Sequence, residues 1–142
     1  MAYGGVNFLA VLIATVAAMA AGAVWYTLFA RGWMAANGFT VQDLKDEHGN
    51  PKSGKTPYLV AAVAKGVMAY GLAKLLAVLD AVSVWNGIAA ALFLWLAFVV
   101  PPHAVNHRFQ LKPWSLTAID AGYWLAVLVV QAVVIGLFGV PY

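Results

Sequence analysis

Four long apolar stretches, residues 7–30, 58–79, 82–100 and 114–138, alternate with short polar segments along the chain. Each is close to the about twenty residues needed to cross a hydrocarbon core of roughly 30 Å. Within a bilayer every backbone N–H and C=O must be bonded inside the protein, so runs of Ala, Leu and Val without alternating polarity predict helices. The pattern therefore predicts an all-α, polytopic integral membrane four-helix bundle, with residues 1–142 forming a single transmembrane domain. The first apolar run has no Lys or Arg before it and is too long for a signal-peptide core, so it reads as a retained first helix.

Composition sharpens this picture. The 142 residues are 64% hydrophobic and 9% charged, against about half and a quarter in ordinary soluble domains. Mean hydropathy is +0.85. Four crossings consume most of the length, which leaves no space for a separate soluble catalytic domain, and no enzymatic activity is expected. The absence of cysteine rules out disulfides and thiolate chemistry. The formal charge of +3 comes mainly from two loops. Arg31, Lys45, Lys52 and Lys55 lie in the loop 31–57, and Arg108 and Lys112 lie between the third and fourth stretches. The N-terminal segment, the turn at Asp80 and Ala81 and the C-terminal tail carry no Lys or Arg. By the positive-inside rule the two basic loops face the cytoplasm of a bacterial inner membrane and both termini face out. Trp33, Tyr58 and Trp114 are expected interfacial anchors at the basic end, with Tyr3, Trp85 and Tyr142 at the other. This charge distribution answers to lipid, so neither nucleic acid nor nucleotide is an expected partner.

In the long loop, Thr40 followed by Asp43 has the spacing of a helix cap and Gly49 suits a C-terminal stop, predicting a short surface helix over 41–48. Residues 49–56 match the G-x-x-x-x-G-K-[ST] phosphate-loop pattern letter for letter. A working phosphate loop follows a strand and opens a helix with free amides. Here a polar segment precedes it and Pro57 follows it, so a flexible turn placing Lys52 and Lys55 near anionic headgroups is the reading adopted, with Arg108 and Lys112 in the same role on the second loop. His103 and His107 share a face if the segment is helical, which makes them weak metal candidates. Pro101-Pro102 immediately before them is expected to break or kink the third helix. No cofactor is implied.

The most informative positions are polar side chains inside the apolar stretches. Counting residues from the basic end puts Lys65 on the second helix and Asp120 on the fourth at similar depth, so they are expected to pair across the bundle. Gln131 falls on the same face of the fourth helix as Asp120. The small pairs Ala18/Gly22, Gly87/Ala91 and Ala118/Gly122 allow close helix approach.

Gly22-Ala-Val-Trp25-Tyr26-Thr-Leu-Phe29 with Gly32-Trp33-Met34, and Arg108-Phe-Gln-Leu-Lys-Pro113-Trp114 leading into Ile119-Asp120-Ala-Gly122-Tyr123, bracket most of the chain. On these two blocks it resembles a family of small bacterial and fungal membrane proteins catalogued as domain of unknown function 1761. The resemblance implies a four-helix membrane fold and brings no activity or site residues with it. From the residues alone, two functions remain. One is a small homo-oligomeric transport or permeation protein, with Lys65, Asp120 and Gln131 along a substrate or proton path. The other is a non-catalytic scaffold or accessory subunit of a larger membrane complex, in which the same residues form a structural ion pair.

The charge asymmetry makes a direct prediction. A periplasm-active reporter fused after Tyr142 gives signal and a cytoplasm-active one does not; the reverse result would refute the orientation.

Overall fold

The structure is a computed structural model that describes residues 5–140 and the backbone of Ala2–Tyr3. Tyr142 and the Tyr3 side chain, both expected anchors, lie outside the described residues. A two-residue antiparallel ribbon pairs β1 (Ala2–Tyr3) with β2 (Val6–Asn7). Six helices follow: α1 (Phe8–Leu28), α2 (Ala30–Asn37), α3 (Thr56–Val78), α4 (Val84–Leu94), α5 (Val100–Phe109) and α6 (Trp114–Phe138). A π-helical turn, Trp95–Val99, joins α4 to α5, so Val84–Phe109 runs as one continuous helix of 26 residues. Four helices are long and apolar enough to cross a membrane: Phe8–Leu28, Thr56–Val78, Val84–Phe109 and Trp114–Phe138.

Local sequence explains the ends of these helices. Asn7 caps α1, its Oδ1 accepting the Ala10 N–H at 3.2 Å, and Ser83 caps α4 by accepting the Asn86 N–H at 3.1 Å. α2 stops at Gly38, whose φ of 72° is the left-handed conformation glycine adopts without strain. Pro57 occupies the first turn of α3, where a missing N–H costs nothing.

α6 is the spine of the bundle, in contact with α1, α2, α3, α4 and α5. It is also the most enclosed span, with 39% of its apolar window buried against 6% for Val84–Phe109, which lies at the periphery. Because lipid tails are as apolar as leucine, association in a bilayer depends on close backbone approach more than on apolar burial. The buried face of α1 is accordingly Ala10, Ala14, Ala18 and Gly22, one small residue per turn. On α4 the buried residues are Gly87 and Ala91. Thus Ala18/Gly22 and Gly87/Ala91 are used within the chain, while Ala118 is exposed and Gly122 receives the Trp25 ring. Large apolar side chains such as Leu12, Val16, Val67, Phe93 and Phe98 point outward, as a lipid-facing surface requires. The main core gathers Val6, Leu72, Leu76, Leu128 and Ile135 around Ala14, Ala69, Ala91 and Ala132, in the half remote from the basic loops.

Two sequence expectations are corrected. The third helix was expected over 82–100 with a break at the prolines, yet it continues to Phe109. The Val100 N–H donates to the Trp95 carbonyl five residues back, and this wider turn places Pro101 and Pro102 in the first turn of α5, where their missing N–H groups and ring bulk are tolerated. The surface helix expected over 41–48 is a single 3-10 turn, Gln42–Leu44. Its cap forms as expected: Asp43 Oδ2 accepts the Thr40 N–H at 2.7 Å and the Thr40 hydroxyl at 2.8 Å. These bonds, the backbone one first, hold the Asp43 carboxyl below the ordinary carboxylate range. Propagation then fails because Lys45 is extended and bridges Pro51, while Asp46 Oδ1 accepts the N–H groups of both His48 and Asn50. That side chain offers the backbone a turn in place of a helix.

Gly136 of α6 has the least space. A Cβ there would lie 2.4 Å from the Val84 backbone nitrogen, so only a shift of α4 could admit it, whereas one at Gly71 meets nothing within 4 Å. Gly136→Ala should therefore cost about 1–3 kcal/mol of stability in detergent, with Gly71→Ala neutral or stabilising by up to ~1 kcal/mol. Thermal unfolding of the two variants checks this, and equal effects would contradict the packing.

Candidate functional site

The basic end of the bundle differs in chemistry from the rest. α6 begins there, and its first two turns carry Thr117 and Asp120 on the side met by the ends of α1 and α5. Two indoles fix this part of α6 between its neighbours. Trp25 Nε1 of α1 donates to the Ile119 carbonyl at 3.0 Å, and Trp95 Nε1, in the π turn, donates to the Ala121 carbonyl at 2.7 Å. The Trp25 ring lies so close to α6 that a Cβ at Gly122 would stand 2.7 Å from it.

Around Asp120 the polar side chains form one connected network. The Tyr26 hydroxyl donates to Asp120 Oδ1 at 2.6 Å, and His107 Nε2 lies 3.5 Å from Oδ2. His107 Nδ1 is 2.8 Å from Thr117 Oγ1, which also accepts from Arg108 Nη2 at 2.7 Å. These bonds assign the imidazole protons. The Asp120 carboxylate only accepts, so the neutral ring carries its proton on Nε2, and Nδ1 then accepts the Thr117 hydroxyl hydrogen while the Thr117 oxygen accepts from Arg108. One cation and one carboxylate are thereby joined through two neutral groups. The Arg108 guanidinium also stacks on Trp114, 3.6 Å from the ring centroid, while its Nε and Nη1 are buried and have no hydrogen-bond partner among the described residues. The Asp120 side chain keeps 20% of its surface accessible and that of His107 9%.

Lys65 does not join this network. Its side chain is buried, with Nζ 3.6 Å from the Met19 sulfur and 4.9 Å from the Tyr123 ring centroid, so the expected ion pair with Asp120 is absent. The reason is the relative height of the helices. Gln131 Nε2 donates to the Lys65 carbonyl at 2.9 Å, which sets the Lys65 backbone level with a residue about 16 Å along α6 from Asp120 at 1.5 Å per residue. Helical side chains lean towards their own N-terminus. Lys65 therefore reaches back as far as Tyr123 and Gly22 and no further; a Cβ at Gly22 would lie 2.9 Å from Nζ. Gln131 is fully buried and its Oε1 has no hydrogen-bond partner among the described residues. The sequence-derived trio thus lies along one seam, with Lys65 and Gln131 together and Asp120 nearer the basic end.

The remaining expected positions separate in the same way. Lys52 and Lys55 are exposed on the turn that precedes α3, in keeping with headgroup contact. Arg108 is engaged with Thr117 and Trp114, and Lys112 Nζ lies 5.8 Å from the Phe39 ring centroid. His103 and His107 do share a helical face, their centroids 5.8 Å apart. Both nitrogens of His107 face protein groups, however, and His103 Nδ1 is 2.8 Å from the Val99 carbonyl. Among the described residues no three His, Cys, Asp or Glu side chains gather into a metal-binding group. Sequence reasoning missed Tyr26, Thr117 and Tyr123. The available signals were a hydroxyl-bearing aromatic inside a span and a threonine one turn before a buried carboxylate.

Fold and site together define an all-α protein with four apolar spans and a hydrogen-bonded ionisable cluster at one end. The chain belongs to the DUF1761 family, described as a protein of unknown function, whose family model matches residues 9–136. That match includes both sequence blocks noted above, the two spans between them and every residue of the polar seam. Neither the curated proteins nor the solved structures contain a match to the chain.

Thr117 is the junction of the network, and Thr117→Val preserves its shape while removing both bonds. With His107 and Arg108 left unsatisfied, the variant should lose about 1–3 kcal/mol per stranded group, and Thr117→Ser should recover most of it. Unfolding midpoints in one detergent measure this; a valine variant as stable as the parent would show that the network contributes nothing to the fold.

Proposed function

We propose that this protein is a small permeation protein of the bacterial inner membrane that moves protons, or a small polar solute, along the seam of α6, and that it works as a homo-oligomer. The observation that carries the reading is the succession of polar side chains on that seam. Arg108, Thr117 and His107 lead to Asp120 and Tyr26. The Tyr26 ring lies 4.8 Å from that of Tyr123, on which Lys65 rests, and the Lys65 backbone binds Gln131. Ionisable groups inside apolar helices are costly, and they commonly mark ion or proton paths. Water access to the partly exposed Asp120 would supply the entrance.

Beyond Gln131 the seam is closed by Leu72, Leu76 and Ile135. On the positive-inside orientation this corresponds to a state open towards the cytoplasm and shut on the other side. The peripheral span Val84–Phe109, almost wholly unburied within one chain, would supply the surface for contact between copies. The same closed packing also favours the second reading, a scaffold or accessory subunit in which the polar network holds the helices in place, with no path for a solute. Lys52 and Lys55 serve as headgroup contacts in either case.

Proteoliposomes with a pH-sensitive dye in the lumen separate the two. Under an imposed potential the parent protein should acidify the lumen faster than empty liposomes, and Asp120→Asn, nearly isosteric, should lower that rate by about ten-fold or more while its unfolding midpoint stays close to the parent's. Absence of flux above empty liposomes, or flux unchanged in Asp120→Asn, would reject a proton path through Asp120, and the same result with a small polar solute trapped in the lumen would leave the scaffold.

A further inference from the structure

An open cleft of about 390 Å³ lies between α3 and α5, with Trp124 of α6 also in its lining. Met68 of α3 and Phe98 in the π turn line it, as does His107, whose ring belongs to the Asp120 network; His103, Asn106 and, just past the end of α5, Gln110 supply the other polar groups. These three polar residues recur at three- and four-residue intervals, so they form a stripe along one face of α5. From Gln110 the stripe descends about 10 Å along the helix to His103, from the interface into the apolar layer. The Asn106 and Gln110 side chains are exposed and make no hydrogen bond to the protein among the described residues. A polar stripe facing a lipid-accessible gap is costly unless something binds it.

The chemistry of the lining selects the occupant. A carbonyl oxygen only accepts, so the 2.8 Å contact of His103 Nδ1 with the Val99 carbonyl requires Nδ1 to carry the ring proton. Nε2 of the neutral ring then offers a lone pair, which calls for a hydrogen-bond donor. None of the lining residues is Lys, Arg, Asp or Glu, which disfavours an anionic phosphate head and a cationic amine head alike. The volume lies within the range of small-molecule pockets, and an apolar wall with a few convergent polar groups is their usual make-up.

We infer that the cleft between α3 and α5 binds a neutral, hydroxyl-headed amphiphile taken from the surrounding leaflet, its hydroxyl donating to His103 Nε2, its polar edge met by Asn106 and Gln110, and its apolar body against Met68, Phe98 and Trp124. This site shares the His107 edge with the Asp120 network and does not depend on permeation.

A matched pair of probes tests it: 4-octylphenol, which donates, and 4-octylanisole, its methyl ether, which does not. Each is titrated calorimetrically into lipid nanodiscs holding the full chain, with empty nanodiscs subtracted. The parent protein should bind the phenol about ten-fold more tightly than the ether, and His103→Phe should reduce that preference to about two-fold or less. His103→Gln, which restores an acceptor, should keep the preference, and Met68→Trp, which fills the cleft from the opposite wall, should weaken both probes. Saturable binding absent beyond empty nanodiscs, equal affinity of the two probes for the parent, or a preference that survives in His103→Phe would overturn the assignment.

Discussion

Asp120 sits two turns into an apolar helix, where water cannot complete its solvation, and an uncompensated charge at such a position costs at least a few kcal/mol. Much of the basic end follows from meeting that demand. Tyr26 and His107 approach the carboxylate from two different helices, Thr117 orients His107, and Arg108 provides the positive charge at one remove. Each partner must come from an element whose end reaches this level, so α1, α5 and α6 converge here. The indoles of Trp25 and Trp95 strengthen the convergence by bonding α6 carbonyls on either side of Asp120. Truncation of the Asp120 side chain, which unlike an isosteric change strands Tyr26 and His107, would therefore loosen a junction of three helices as well as delete a charge.

The bundle divides along α6 into two halves that are stabilised differently. Towards the basic loops, contact is made by aromatic rings seated over glycines, with Trp25 at Gly122 and Tyr123 at Gly22, and by directional bonds. Away from them, contact is made by backbone approach, as at Gly87 with Ala132 and Gly136 with Val84, around the apolar cluster. In lipid the second kind has no hydrophobic advantage and depends on fit alone. Small residues thus do two jobs in this chain, admitting large rings at one end and neighbouring backbone at the other.

What could be read from the sequence was what a single helix reports about itself. Four apolar lengths and the Thr40–Asp43 cap need no knowledge of neighbours. So did the inward direction of Lys65 and Gln131, since buried polar groups must find partners. What could not be read was relative height. The pairing of Lys65 with Asp120 assumed that α3 and α6 start level, but the bond from Gln131 to the Lys65 carbonyl fixes a different offset, and loop length does not encode it. The proline pair misled for a related reason. Pro101-Pro102 was weighed without the residues before it, and a π turn from Trp95 to Val99 cancels the break that two prolines impose on a regular helix.

That π turn also sets the shape of the cleft. α4 is held against α6 by backbone contact at Gly87 and Gly136, so its direction is fixed. Beyond the turn at Trp95–Val99, α5 is anchored to α6 by Trp95 bonding Ala121 and by the return of His107 and Arg108 to Thr117. α3 is held to α6 at Lys65–Gln131, well away from α5. Two helices fixed to a common neighbour at different heights are not held against each other along their whole length. The gap beside Trp124 lies between these separately anchored helices, and the extra residue of the π turn, which shifts the register of every later side chain, sets which face of α5 lines it: the face of His103, Asn106 and His107.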